Sequence, residues 1–397
     1  MSVHDIDRKH AKLSASSSGK WLVCTPSAQL EDQIPDEQSP FAAEGTLAHS
    51  VFEMLLKTYL SGHDGAAIAD YEDFVMANGV SQDMLDHVGA ACQRAVALIE
   101  SARDRCPDPV ILLERRLDFS PWVPEGFGTG DLVIITDDLV EVADLKFGKG
   151  VLVDAVGNSQ MRLYGLGAYN ELNMLYNIQR VKMHVFQPRM DNWSCEEISV
   201  ADLLDWAEKV VVPQARIAWD GEGELVAGDH CSNYFCRARF TCPARNAQAN
   251  ALIESSFALL PPDMLNPQQM SQVLSRADEV IGWLNDVKTW CLAHAEKGNP
   301  VPGFKLVEGR SNRKYKDADA VAKAVTAAGV DEALIYERSI IGLTAMEKLL
   351  GKKKFADILG NHIEKPRGKP TLVPVTDKRP VYDALAYFET ENPQEGK

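Results

Sequence analysis

The chain has 397 residues, longer than most single domains, with 45% hydrophobic and 25% charged residues and a formal net charge of −16. Those proportions suit a globular protein that buries a core, while the acidic balance argues against one that coats nucleic acid by bulk charge. No run approaches the roughly 18 apolar residues of a membrane span and the N-terminus lacks an apolar signal stretch, so a cytoplasmic protein with no membrane partner is expected.

Residues 1–20 are polar and Ser-rich and read as a flexible lead-in. Apolar residues at helical spacing from Leu47 to Leu60 predict a helix with Thr46 as its N-cap, placing His49 and Glu53 one turn apart on one face. A second helix is expected from Gln82 to Arg105. "PVILLERRLDF" then reads as a strand, and "GTGDLVIITDDLVEVADLKFG" as two more joined by a tight turn. "NSQMRLYGLGAYNELNMLY" returns to helical spacing, with Gln160 and Tyr164 four apart. "RVKMHVFQP" predicts another strand and "ADLLDWAEKVVVPQARIAW" another helix. This order implies an α/β fold with a mixed sheet flanked by helices. An amphipathic helical segment over 251–300 follows. A basic C-terminal region over 301–385 holds small helices near 317–328 and 343–359, and a disordered tail over 386–397 ends the chain.

Asp144 and Lys146 close a buried strand two residues apart, so their side chains project to the same face. Asp131 begins the preceding strand, and pairing of the two strands would bring both carboxylates together. Two close carboxylates repel unless a cation joins them. Hard oxygen donors suit Mg2+ or Mn2+, and a nitrogen ligand from His49 favours Mn2+. Beside them the Lys146 ammonium could stabilise charge developing on a phosphate. These parts suit hydrolysis of a nucleic-acid backbone, although D-x-K alone is a common surface ion pair.

Gly45-Thr46-x-x-His49-x-x-x-Glu53, Gly128-x-x-Asp131, Asp144-x-Lys146 and Gln160-x-x-x-Tyr164 resemble the motifs of RecB-like nucleases in the PD-(D/E)XK superfamily. The resemblance implies a restriction-endonuclease-like core over 21–250. It implies His49, Asp131 and Asp144 as ligands of the catalytic metal, with the Leu145 carbonyl as a further ligand and Glu53 reaching the metal through water. It makes Lys146 the catalytic lysine and gives Gln160 and Tyr164 the task of positioning substrate or supporting the site.

Eight cysteines in a cytoplasmic chain read as thiols or metal ligands rather than disulfides. Cys92, Cys106, Cys195 and Cys291 are isolated and are expected to be small buried residues. Cys231, Cys236 and Cys242 crowd into "HCSNYFCRARFTCPA". One branch of the resembled superfamily, similar to AddB and the CRISPR adaptation nucleases, carries a 4Fe-4S cluster on one cysteine before the core and three after it. Cys24, Cys231, Cys236 and Cys242 match that arrangement, and the resemblance implies such a cluster here. The spacing C-x4-C-x5-C is two residues longer than that branch's usual C-x2-C-x5-C. A structural Zn2+ on the four cysteines and three free thiols remain competing readings, with His230 an adjacent bystander.

Between Lys305 and Arg379 the chain has sixteen Lys/Arg against ten Asp/Glu. Arg310, Arg313, Lys314, Lys316, Lys352, Lys353 and Lys354 are candidates for DNA backbone contacts, which would be salt-dependent and blind to sequence. "EGRSNRKYKD" and "KPRGKPTLVPVTDKRP" extend the resemblance to an uncharacterised phage and prophage family. It implies a DNA exonuclease of phage recombination, replication or end processing, with DNA, a phage single-strand binding protein or a recombinase as partners and a homo-oligomer compatible. The competing class is a DNA-binding or scaffold protein of the same fold whose nuclease activity is vestigial or partner-dependent.

Overall fold

The computed structural model describes residues 11–35, 40–257, 266–305, 323, 326–327, 351–359 and 362. The chain divides into two units, Met1–Lys297 and Gly298–Lys397.

The first unit is built on a five-stranded sheet in sequential order: β1 Val110–Asp118, β2 Phe127–Ile135, β3 Leu139–Leu145, β4 Arg180–Gln187 and β5 Asn192–Ser199. Neighbours pair antiparallel except β3 and β4, which run parallel. A parallel pair needs a crossover, supplied here by a helix over Ser159–Leu172. In chain order the α-helices of seven residues or more among the described residues of this unit are α1 Pro40–Leu60, α2 Gly65–Ala77, α3 Gln82–Arg105, α4 Ser159–Leu172, α5 Val200–Trp206, α6 Val212–Asp220, α7 Pro243–Phe257 and α8 Pro267–Glu296. A π-helical turn over Ala207–Val211 joins α5 to α6.

The alternation of strand side chains divides the apolar residues between two cores. One packs Val133, Ile135, Val140, Val142, Val181 and Met183 beneath α4 and α5, with Met161, Leu166 and Leu203 buried among them. The other packs Leu132, Ile134, Ala143 and Leu145 against Phe52 and Leu56 of α1 and Val88 and Ile99 of α3. The sheet is thus covered on both faces, as the order of predicted elements implies.

Three sequence expectations are corrected and two elements are new. Residues 11–20 are not a flexible lead-in: Leu13 is fully buried with Trp21 in the first core. Trp21 Nε1 donates to Ser14 O at 3.1 Å, and Ser18 Oγ lies 2.7 Å from Ser159 Oγ. The serines satisfy one another and the backbone while the apolar anchors bury. Thr46 is not an N-cap, because α1 already begins at Pro40 and the Thr46 hydroxyl donates back to Ala42 O. Proline suits a helix's first turn. Strand β5 and helix α2 had no readable pattern: β5 is an edge strand half covered on both faces, and α2 buries no residue. Cys195 sits on that edge and is exposed, whereas Cys106 is buried and Cys92 and Cys291 are half-buried.

In the second unit, a helix α9 spans Lys352–Leu359, within the expected helix near 343–359. Arg310, Arg313, Lys314 and Lys316, the helix expected near 317–328 and the tail over 386–397 lie outside the described residues, as do the side chains of Lys352 and Lys353; Lys354 is exposed.

Candidate functional site

Strands β2 and β3 pair so that Leu132 stands opposite Ala143, which sets Asp131 beside Asp144 at the end of β3. Both carboxylates are buried, at 5% and 3% exposure. Helix α4 starts cleanly because Asn158 Oδ1 accepts from Gln160 N and Met161 N, and its first two turns deliver Gln160 and Tyr164 to the same place.

Lys146 Nζ donates to Gln160 Oε1 at 2.8 Å and lies 2.9 Å from Asp144 Oδ2. Gln160 Nε2 donates to Asp144 Oδ1 at 3.2 Å and to Tyr164 OH at 2.9 Å. One amide therefore engages the lysine, the aspartate and the tyrosine together. The buried Asp144 Oδ2 therefore meets the Lys146 ammonium, which offsets part of the cost of burying the carboxylate.

On the other side, His49 Nδ1 of α1 lies 3.0 Å from Asp131 Oδ1, and Leu145 N donates to Asp131 Oδ2 at 2.7 Å. Leu145 is thus held to the site through its N–H. Glu53 pairs with Lys57 at 2.7 Å.

Electrostatics follow from burial and crowding. Burial alone would lower His49, but the charge and hydrogen bond of Asp131, with the charge of Asp144, hold the imidazole up at about 9. Burial and the charge of Asp131 push Glu114 up to about 7. Burial raises Asp144 against the pull of Lys146. Burial, then the charge of Asp144, pushes the Tyr164 phenol well above its usual range. These are the signatures of several anionic groups confined without enough positive charge.

The donors that gather within 4.8 Å of one another are His49, Glu114 and Asp131. Sequence reasoning joined Asp144 to His49 and Asp131 and missed Glu114. A nitrogen and carboxylate oxygens are the donors that Mn2+ and Mg2+ take, so the residues present fit a divalent cation.

The cysteines meet elsewhere. Cys24, Cys231, Cys236 and Cys242 line one small pocket together with Lys20, His230 and Arg239. Cys231 belongs to a single helical turn, and Cys236 N donates back to Cys231 O at 2.9 Å. Burial, then the charge of Glu31, pushes the Cys236 thiol up to about 11, so a metal there must displace a proton. Among the described residues no three of these sulfurs lie mutually within 4.8 Å. A tetrahedral zinc with bonds of about 2.3 Å holds its sulfurs about 3.8 Å apart.

Over residues 10–380 the chain matches the model of a family described as "Protein of unknown function (DUF2800)". The chain belongs to this DUF2800 family. A solved structure titled "Crystal structure of SSO0001" is similar at 15% identity, covering 60% of this chain and 89% of that one with a TM-score of 0.26.

In this DUF2800 chain the overlooked residue had one trace in the sequence. Leu112 and Leu117 of β1 both face the first core, although they lie five positions apart. A regular strand would send them to opposite faces. The alternation shifts at Glu114, whose φ of 46° is left-handed.

Proposed function

We propose that this chain is a divalent-metal-dependent DNA exonuclease that hydrolyses phosphodiester bonds, built on a PD-(D/E)XK core of the RecB-like kind. The observation that carries the reading is the grouping of Lys146, Asp144, Gln160 and Tyr164 around one amide, beside Asp131 and His49. His49, Asp131 and Asp144 would hold the cation, which when bound polarises the phosphodiester and makes water more acidic. Lys146, kept extended by Gln160, presents its ammonium to the phosphate as negative charge builds there. Water's oxygen forms the new bond to phosphorus, the bridging P–O bond breaks, and the leaving oxygen takes up a proton.

In this reading Cys24, Cys231, Cys236 and Cys242, which line one pocket, hold a 4Fe-4S cluster, with structural zinc the alternative. Four thiolates would then tie residue 24 to residues 231–242. The basic C-terminal residues serve as DNA backbone contacts, and the setting is phage DNA recombination or replication in the host cytoplasm, alongside a single-strand binding protein or recombinase.

The test is cleavage of end-labelled linear and closed circular DNA by anaerobically purified protein with Mn2+ or Mg2+, with Asp144→Ala as control. Metal-dependent loss of linear DNA alone, absent in the variant, is expected. Metal-dependent turnover unchanged by Asp144→Ala would end the assignment, and no cleavage of either substrate would favour a DNA-binding protein. Metal analysis of the same sample is expected to show iron; zinc without iron would remove the cluster.

A further inference from the structure

The first unit holds a cavity of about 650 Å3 where the N-terminal turns meet the cysteine loop, lined by residues drawn from 11–32 and by Phe235 and Arg237. That volume suits a small organic ligand, and none of the candidate catalytic residues lines it.

The charges around the cavity do not cancel. Lys20, 8% exposed, gives its ammonium to both oxygens of Glu31, at 2.8 and 2.7 Å. Glu31 Oε1 also accepts from the Arg237 backbone N–H at 2.7 Å and lies 4.0 Å from that residue's Nε, so one carboxylate faces two cations. Lys12 Nζ donates to Trp219 O at 3.0 Å and lies 4.9 Å from the centre of the Trp219 ring. Among the described residues no carboxylate pairs with it. Lys12, Lys20 and Arg237 against Glu31 and Asp32 leave one positive charge in excess, which favours an anionic ligand.

Two further features point to what that ligand is. Ser27 is 3% exposed, and its Oγ has no hydrogen-bond partner among the described residues. Buried hydroxyls are nearly always bonded, and this one stands in the wall that the cavity shares with the cysteine pocket. Phe235 is 64% exposed and its backbone is left-handed, at φ 50°, a conformation that costs a bulky L residue. So exposed a ring adds little to the core, whereas its face can stack on a nucleobase.

We propose that this cavity binds a nucleoside monophosphate. Lys12 holds the phosphate, the Ser27 hydroxyl turns to it, and the base lies on the ring of Phe235. The site stands independently of the nuclease reading, although an exonuclease that removes one nucleotide at a time releases this class of molecule.

The test is isothermal titration calorimetry of full-length, anaerobically purified protein with deoxyadenosine monophosphate and no added divalent metal. One equivalent is expected to bind, and inorganic phosphate or deoxyadenosine alone to bind at least about tenfold more weakly. Phe235→Ala is expected to lower affinity for the nucleotide about tenfold and leave that for phosphate unchanged, while Lys12→Gln weakens both. Phe235→Gly, which accepts the left-handed backbone without strain, is expected to show the same loss with a melting temperature no lower than wild type. Ser27→Ala is expected to weaken nucleotide binding with the iron content unchanged. The proposal is overturned by a wild type without saturable binding, or by Phe235→Ala and Lys12→Gln variants that bind as wild type does. Binding abolished by Asp144→Ala overturns it too, since the nucleotide would then sit at the candidate catalytic group. None of these results bears on the nuclease reading, which is decided by DNA cleavage.

Discussion

Gln160 Oε1 accepts from Lys146 Nζ at 2.8 Å while its Nε2 donates to Asp144. The two groups that define the end of β3 are thus held by one side chain from α4. Gln160 acts on the chemistry through Lys146 and Asp144 and is a positioning residue. Gln160→Ala is expected to lower kcat by about 10- to 100-fold, as small misplacements of reacting groups do, with KM for DNA nearly unchanged. Tyr164→Phe should cost less, since Gln160 keeps its bond to Asp144. A Gln160→Ala enzyme with wild-type kcat, or one whose whole defect lies in KM, would show that Lys146 needs no such support.

Gly128 is packed against the ring of Tyr164: a Cβ there would meet Tyr164 Cε1 at 2.6 Å. The ring is buried beneath α4 and has little room to yield. Gly128→Ala is expected to cost about 1–3 kcal/mol, the usual penalty for overpacking a core, and to lower turnover by displacing Tyr164 and Gln160. Chemical denaturation followed by circular dichroism would measure the first effect. An unchanged midpoint would mean that the strand gives way without cost.

Lys20 and Glu31 form a buried ion pair at 2.7 Å, and Glu31 Oε1 also accepts from Arg237 N at 2.7 Å. This links the N-terminal turns to the cysteine loop. Removing one partner of such a pair strands a buried charge, so Glu31→Ala is expected to destabilise by about 3–5 kcal/mol and to lower the iron content of purified protein. Full iron loading in that variant would show that the cysteine pocket holds its shape without this contact.

Glu141 of β3 is 3% exposed and bonds His184 Nε2 at 2.9 Å and Arg105. Burial alone would raise its carboxyl, but His184 and Arg105 together hold it below its usual 4.5. A depressed carboxyl stabilises the fold above its unfolded value and loses that contribution as pH falls through the folded one. Glu141→Gln is therefore expected to be less stable than wild type at pH 7, with the gap closing at pH values below about 4.5. Melting temperatures of the two proteins between pH 3 and 8 would check it; a gap that stays constant across that range would assign the loss to packing.

Much of the site was legible because its parts are local. Asp144 and Lys146 share a face by the two-residue strand repeat, and Gln160 and Tyr164 share one by the helical turn. The periodicities that placed α1, α3 and α4 and strands β1 to β4 are likewise short-range. What stayed hidden depended on partners distant in the chain. The Ser-rich start read as loose because nothing nearby shows that Leu13 and Trp21 bury against the sheet. The edge strand β5 carries no one-sided pattern because neither of its faces is fully covered.

The sequence by itself determined which groups could do chemistry here: a histidine on a helix, carboxylates on paired strands and a lysine two residues beyond one of them. Tertiary structure decided how they are shared. Glu114 and Asp131 lie seventeen positions apart in the chain, and only the pairing of β1 with β2 sets them face to face. Helical and strand repeats relate residues a few positions apart, whereas strand register and a single left-handed φ are set by packing across the whole sheet.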